Sequence, residues 1–201
     1  MSKAIEFYFD FGSPNAYFAW RVLPEIARRT GAEIVLKPVL IGGIFKATGN
    51  QPPMMAFGKV QGKLAYEQLE IQRFIKKHQL TEFQFNPGFP INTLLMMRGA
   101  FAVTSGGGDI DPYVAACFKA MWEDGEKMDD PDTVLRVLND AGLDGAAIIA
   151  GAAEADVKEA LKTETAAAVE RGIFGLPTFF VGDEMFFGKE RLGQVEDELN
   201  G

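Results

Sequence analysis

The chain has 201 residues, of which 47% are hydrophobic, and a formal net charge of −8. The length and the hydrophobic content are sufficient for one large domain, or for one domain that carries an insertion. Because an acidic protein repels phosphate groups, the charge argues against a nucleic-acid surface or an anionic-membrane surface.

The predicted elements begin with a β-α-β unit. Residues 4–9 alternate as in a strand with one buried face, and residues 14–30 repeat apolar side chains at helical spacing up to Gly31, a typical helix stop. Residues 33–40 predict a second strand. Pro38 indicates that this strand lies at a sheet edge or ends irregularly. Two strands joined by a crossover helix favour a parallel pair with a right-handed connection.

A long helical stretch follows the second strand. Segments rich in glycine and proline separate the predicted helices, which lie near 59–78, 92–105, 110–123, 131–141 and 153–171. The segment LPTFFVGDEMFFG then predicts two short strands joined by a turn at Gly182 and Asp183, and a last helix is predicted at 189–199.

The β-α-β and β-β-α parts together predict an α/β fold, a thioredoxin-like core with a large all-helical insertion. We place the discontinuous thioredoxin-like domain at 1–45 and 172–201, and the inserted helical domain at 46–171. In such a core the first helix begins beside a loop that ends in proline, here Leu176-Pro177.

Four further features limit the class of protein. The single cysteine, Cys117, excludes a disulfide framework within the chain, and the single histidine, His78, excludes a multi-histidine metal centre. The first residues reach a strand at once and carry Glu6, which is not typical of a signal peptide. No apolar run has the length that spans a bilayer. We therefore expect a soluble cytoplasmic protein.

Ser13, between the first strand and the first helix, has three candidate roles. Serine is a favoured N-cap and Pro14 a favoured first helical residue, so capping alone explains the pair. A nucleophilic serine needs a general base, and His78 lies in the inserted region without an evident orienting acid. In the third role, the hydroxyl and the free N–H groups of the helix start stabilise a bound anion. A thiol held there would have a lowered pKa.

Dithiol redox chemistry does not fit the sequence. The residues from Ser13 to Ala16 occupy the place where a Cys-x-x-Cys pair would be needed. Cys117 lies far along the chain in a predicted helix, where we expect a buried, small apolar residue. The protein therefore uses the thiol of a bound molecule or works without a thiol.

Five segments, in this order, resemble one known family: DFGSPNAY, TGNQPP, FNPGFPINTLLMMRGA, GIFGLPTFFV and FGKERL. They are similar to segments of 2-hydroxychromene-2-carboxylate isomerases and of the related kappa-class glutathione transferases, and they cover nearly the whole chain. The resemblance implies a DsbA-like, thioredoxin-like core, bound glutathione and a homodimer. It also implies conversion of an aromatic 2-hydroxychromene-2-carboxylate to trans-o-hydroxybenzylidenepyruvate, as in aromatic hydrocarbon catabolism.

The resemblance assigns glutathione contacts residue by residue. Ser13 matches the catalytic serine that hydrogen-bonds the glutathione sulfur, with Pro14 and Asn15 flanking it. The backbone of Leu176 is expected to pair with the cysteinyl part of glutathione as a short added strand. Pro177 is expected to be cis, against the alternative of a trans proline that opens an edge strand.

The remaining matches leave alternatives. Asn50 matches a glutathione-contacting asparagine, but a turn residue before two prolines explains it equally well. Lys189 and Glu190 match the pair that receives the γ-glutamyl end, although the family usually has aspartate in place of Glu190. A family lysine is matched by Lys63, which we favour, or by Lys59.

Six large side chains are candidates for the lining of an aromatic-acid pocket, although helix packing is the expected role of most of them: Met54, Met55, Phe57, Met96, Met97 and Trp122.

Three functions stay open. The first is the isomerase, with glutathione as an unconsumed cofactor and a small aromatic carboxylate as substrate. The second is a kappa-like glutathione transferase or peroxidase, and the third is a non-catalytic binding or chaperone module. None of them involves nucleic acid or a membrane.

Overall fold

A computed structural model of the protein describes residues 3–201. Within them one mixed sheet contains four strands: β1 (Ala4–Phe9), β2 (Glu33–Pro38), β3 (Thr178–Val181) and β4 (Glu184–Phe187). The strand order is β2-β1-β3-β4; β1 and β2 are parallel, and β3 is antiparallel to both of its neighbours. The α/β class and the thioredoxin-like order are confirmed, as are the edge position of the second strand and the turn between β3 and β4.

Helices surround this sheet. Helix α1 (Pro14–Thr30) connects β1 to β2, and the others before β3 are α2 (Ile41–Thr48), α3 (Pro53–Ala56), α4 (Lys63–His78), α5 (Leu94–Ser105), α6 (Asp111–Trp122), α7 (Pro131–Asp140), α8 (Gly145–Gly151) and α9 (Ala155–Glu170). A 3-10 turn, Lys189–Arg191, and α10 (Leu192–Asn200) close the chain. In residues 3–201 no helix has the length and apolar character needed to cross a bilayer.

Several predicted helices were wrong. Helices α2, α3 and α8 were not predicted; α2 and α8 are short and contain glycines, which are unfavourable in helices. Helix α4 starts at Lys63, after an exposed segment, and not at residue 59. The predicted helix at 189–199 begins instead as a 3-10 turn.

One hydrophobic core joins the sheet to the helical region. Phe9 and Phe11 pack against Phe118 of α6, with ring centroids 5.6 and 5.0 Å apart, respectively. A second cluster on the other face of the sheet includes Tyr8 and Ile44. Because the larger core crosses the expected domain boundary, the division into residues 1–45 with 172–201 and residues 46–171 stays a prediction.

Candidate functional site

The site predicted around Ser13 forms where α1 begins opposite the loop before β3. The Ser13 hydroxyl oxygen accepts a hydrogen bond from the Ala16 N–H at 3.2 Å, which confirms that the serine is an N-cap. The same hydroxyl donates to the Leu176 carbonyl oxygen at 3.4 Å, a long and weak contact. The Leu176-Pro177 bond is cis, as predicted. Thus Ser13 caps the helix and still directs its proton toward the loop.

Two backbone N–H groups at this place donate to no acceptor within residues 3–201. One belongs to Asn15, since Pro14 has no N–H and the Ser13 N–H donates to the Asp10 carbonyl at 3.0 Å. The other belongs to Leu176. The Asn15 side-chain oxygen is also buried without a partner. With the Ser13 hydroxyl, these groups can receive an anion and an extended peptide backbone.

A buried carboxylate that was not predicted from the sequence lies shortly before this helix start. Asp10 is fully buried, and its two oxygens accept hydrogen bonds from the Gly12 N–H at 2.8 Å and the Ile41 N–H at 2.9 Å. The Thr93 side chain lies beside the same carboxylate and acts, like these two N–H groups, to lower its pKa. Burial nevertheless raises the pKa of Asp10 above its ordinary value. Its only sequence signal was an acidic residue at the end of an apolar strand, three positions before Ser13.

Asn50 approaches the same loop from α2. The helix ends at Thr48, and Gly49 turns the chain with a φ of 72°. The Asn50 side-chain amide then donates to the Phe174 carbonyl oxygen at 3.3 Å. The structure therefore brings Ser13 and Asn50 to one short loop, residues 174–177.

Lys189 and Glu190 also lie beside this loop, because the preceding Gly188 N–H donates to the Pro177 carbonyl at 2.9 Å. The Lys189 ammonium pairs with the Glu190 carboxylate and lies 5.4 Å from the centroid of the Phe74 ring. The Lys189 side chain is 2% exposed, whereas the Glu190 side chain is 50% exposed. The pair presents an accessible carboxylate next to a buried cation.

Of the two candidate lysines, Lys63 is the one whose ammonium is influenced by the charge of Glu190. Its ammonium pairs with Glu67 at 2.7 Å and lies 5.3 Å from the Phe57 ring centroid. Its pKa is raised mainly by Glu67, with a smaller contribution from the charge of Glu190. Lys59 lies in an exposed segment, residues 49–62. The geometry favours Lys63, and its contact with a ligand stays a prediction.

A cleft of about 400 Å³ runs from Lys189 and Glu190 between α1 and α4. His78 lines it beside Ile26, and its ring lies 4.4 Å from that of Phe74. Burial and, to a lesser degree, the charge of Lys77 lower the pKa of His78. Ile26 is about 20 Å along α1 from Ser13, so the histidine beside it is not placed to act as a base for the serine.

The other large candidate side chains divide into two groups. Met96, Met97 and Trp122 are fully buried, which confirms the packing role expected for them, whereas Met54, Met55 and Phe57 are exposed. Cys117 is buried as predicted, and burial raises the pKa of its thiol to about 12. The exposed group, all within or next to α3, remains available to a ligand or a partner.

Comparison with known proteins identifies the family. Residues 4–200 match the model of the DSBA-like thioredoxin domain. A 2-hydroxychromene-2-carboxylate isomerase of Pseudomonas sp. (strain C18) is 32% identical over 199 residues, which cover 98% of this chain and 90% of that protein. A solved structure of a 2-hydroxychromene-2-carboxylate isomerase matches with a TM-score of 0.84 and 29% identity, over 98% of this chain and 94% of the other.

A more distant relative carries a different enzyme name. Glutathione S-transferase kappa 1 of Rattus norvegicus is 27% identical over 198 residues, which cover 94% of this chain and 88% of that protein. The resemblance found in the sequence is thus confirmed. The chain belongs to the family of DSBA-like thioredoxin domains that includes the 2-hydroxychromene-2-carboxylate isomerases.

Proposed function

We propose that the protein is a glutathione-dependent isomerase that interconverts 2-hydroxychromene-2-carboxylate and trans-o-hydroxybenzylidenepyruvate. The observation that carries the proposal is the Ser13 hydroxyl at the start of α1, opposite the backbone of Leu176, in a chain whose single cysteine is buried. Such a site can hold the thiolate of a bound thiol and supplies no thiol itself. The name of the relative that is 32% identical supports the choice of reaction.

The donor set fits glutathione. The Leu176 N–H and C=O can pair with the cysteinyl residue as a short added strand, next to the cis Pro177. The Ser13 hydroxyl and the Asn15 N–H, beside Pro14, then donate toward the sulfur. These donors belong to the positive end of α1, which favours a thiolate over a thiol.

The two ends of the tripeptide also find partners. Glu190 is accessible and can receive the γ-glutamyl ammonium, while Lys189 and the start of the last helical segment favour the γ-glutamyl carboxylate. Asn50 supplies a further donor at the 174–177 loop, and we expect Lys63 to supply another from the start of α4. Glu190 is one methylene longer than aspartate, but its half-exposed side chain has room to adjust.

Bound glutathione supplies a thiolate for reversible addition to the unsaturated carbon of the substrate, and it is released unchanged. The protein contributes by stabilising the negative charge on sulfur and by holding substrate and cofactor in one orientation. Fixing two reactants in this way removes much of the entropic part of the barrier.

We further propose a cytoplasmic homodimer whose substrate is a small aromatic carboxylate. Every residue of α4 is at least partly exposed, although the helix carries apolar side chains such as Tyr66 and Leu69. Met54, Met55 and Val60 are exposed in the segment that precedes it. An exposed apolar surface of this extent is typical of a partner interface.

A kappa-like glutathione transferase is the second candidate, favoured by the similarity to glutathione S-transferase kappa 1. Both reactions need the same thiolate site. They differ in whether glutathione is consumed.

The test is turnover of the chromene carboxylate with less glutathione than substrate. An isomerase converts the substrate to equilibrium and leaves the free-thiol concentration unchanged, whereas a transferase stops when the thiol is exhausted. Calorimetry with glutathione is the preceding control, because an absence of binding would contradict both proposals and favour a non-catalytic scaffold.

A further inference from the structure

The starts of three helices meet at one buried carboxylate. The Asp10 oxygens bond the Gly12 N–H, in the turn that leads into α1, and the Ile41 N–H, the first residue of α2. Thr93, the residue before α5, lies beside the same carboxylate. Neither Thr93 nor the residue before α2 caps its helix with its own side chain. Asp10 thus provides the start of α2 with an acceptor that its own N-cap residue does not supply.

Two of these elements carry the side chains that reach the 174–177 loop. Ser13 follows Gly12 directly, and its hydroxyl donates to the Leu176 carbonyl. Asn50 follows the end of α2, and its amide donates to the Phe174 carbonyl. The positions of Ser13 and Asn50 relative to each other therefore depend on a link between α1 and α2 at their beginnings.

We infer that Asp10 is a positioning residue for the thiol site: its carboxylate holds the starts of α1 and α2 so that Ser13 and Asn50 face the same loop. The effect of Asp10 on the pKa of a bound glutathione thiol rests on the proposed function. The packing is close at this point, since a Cβ atom added to Gly12 would lie 3.1 Å from a Thr93 methyl carbon and 3.3 Å from an Asp10 oxygen. A change in Asp10 is therefore transmitted to the Ser13 turn.

The chemistry of the site calls for a carboxylate. Two backbone N–H groups donate to the two Asp10 oxygens, the Thr93 side chain lies beside them, and an ionised carboxylate offers acceptor positions only. In Asp10→Asn the amide nitrogen would replace one oxygen and face a donor. Either the Gly12 N–H or the Ile41 N–H would lose its acceptor, while the shape of the side chain would be kept.

Three variants test the inference, with the pKa of the bound glutathione thiol as readout. Asp10→Asn removes one link, and Thr93→Val removes the neighbouring hydroxyl while leaving the Asp10 carboxyl in place. Thr165→Val is the matched control: Thr165 on α9 accepts a hydrogen bond from the Leu40 N–H at 3.1 Å. It supports the start of α2, and its side-chain hydrogen bonds go to Leu40 and Leu161 and not to the Ser13 turn.

We expect the thiol pKa to rise in Asp10→Asn, with about tenfold weaker glutathione binding, and to rise less in Thr93→Val. Thr165→Val should lose stability and keep the wild-type pKa. An unchanged pKa in both Asp10→Asn and Thr93→Val would overturn the inference. So would a lowered pKa in Asp10→Asn, which is what removal of a nearby negative charge alone produces. If Asp10→Asn does not fold, Thr93→Val decides.

A measurement without ligand separates this inference from the proposed function. If wild-type protein bound no glutathione, the proposed function would fail on that result. The positioning role would then be judged from the amide signals of Ser13 and Ala16 in nitrogen-15 NMR spectra of the free protein. They should shift in Asp10→Asn and stay in place in Thr165→Val; no shift in Asp10→Asn would refute it.

Discussion

Ser13 uses one hydroxyl for two hydrogen bonds, so a variant without the hydroxyl affects both of its roles. Ser13→Ala removes the acceptor for the Ala16 N–H and the donor proposed for sulfur. Loss of the cap should lower the free energy of unfolding by about 1 kcal/mol. Loss of the donor should raise the pKa of bound glutathione, because the thiolate loses a charge-assisted hydrogen bond. Thiolate absorbance titrated with pH measures the second effect directly.

Ser13→Gly is the control for that experiment. Glycine caps a helix nearly as well as serine but has no hydroxyl. If this variant kept the wild-type titration and full activity, Ser13 would be only a cap. We expect both variants to lose the low-pH thiolate while they remain folded.

The thiol of Cys117 should be unreactive, in contrast to the thiol of glutathione proposed to bind at Ser13. Burial raises the pKa of its thiol to about 12, so the thiolate is almost absent at neutral and mildly alkaline pH. Since alkylation requires the thiolate, native protein at pH near 8 should resist iodoacetamide and unfolded protein should react fully. Mass spectrometry counts the modified fraction. Labelling of the native protein at the rate of a free thiol would contradict this buried environment.

At the scale of elements, the contact between α5 and α6 depends on a glycine. A Cβ atom added to Gly99 would lie 2.9 Å from the Tyr113 ring carbon Cζ, and the Tyr113 hydroxyl donates to the Met96 carbonyl at 2.7 Å. Gly99→Ala should therefore lower the free energy of unfolding by about 1–3 kcal/mol through overpacking.

Tyr113→Phe provides the matched background for this change. Without the hydroxyl, the added methyl group has more room, so the same Gly99→Ala substitution should be less destabilising there. Chemical denaturation of the four proteins gives the coupling energy. Strictly additive effects would show that the two helices are not in contact at this point in the way described.

The elements that could be predicted were those whose signal is local. Strand β1 and helix α1 show clear periodicity, and Ser13, Pro14 and Gly31 mark the ends of α1 by capping chemistry that needs no tertiary contact. Helices α2 and α8 have a capping residue each, Gly49 and Asp144, but they are short and their glycines lower the intrinsic helix propensity. Packing against α9 or α5 supports them instead.

The candidate site was predictable to the same degree. Ser13 and the cis Pro177 lie in segments that carry recognisable motifs. The role of Asp10 was not predictable, because it depends on Ile41 and Thr93, which only the fold brings to the carboxylate. Residues that act through tertiary hydrogen bonds leave no pattern of their own in a single sequence.

At the scale of the whole molecule, the exposed apolar surface of α3, α4 and the intervening segment leads to a prediction about assembly. Sedimentation at micromolar concentration should give a dimer. Leu69→Glu places a charge on this surface and should shift the protein toward the monomer, because an unpaired carboxylate is unfavourable in an apolar interface. Met185→Glu on β4 is the control, since Met185 and Leu69 are similarly exposed, at 39% and 45%.

The control should remain dimeric. A wild-type monomer at that concentration would contradict the proposed assembly. Dissociation of both variants to the same extent would mean that the added charge acts generally and not through α4.

The shared aromatic core also determines how this protein can be recombined with its relatives. Phe9 and Phe11 come from the strand side, and Phe118 comes from the helical region, yet their rings form one packed group. A chimera that exchanged only residues 46–171 would join two halves of different cores, and mismatched volumes in such a core are destabilising. Exchanges that preserve folding must therefore carry the strand aromatics and α6 together, so the helical region is not a portable module even though it is continuous in sequence.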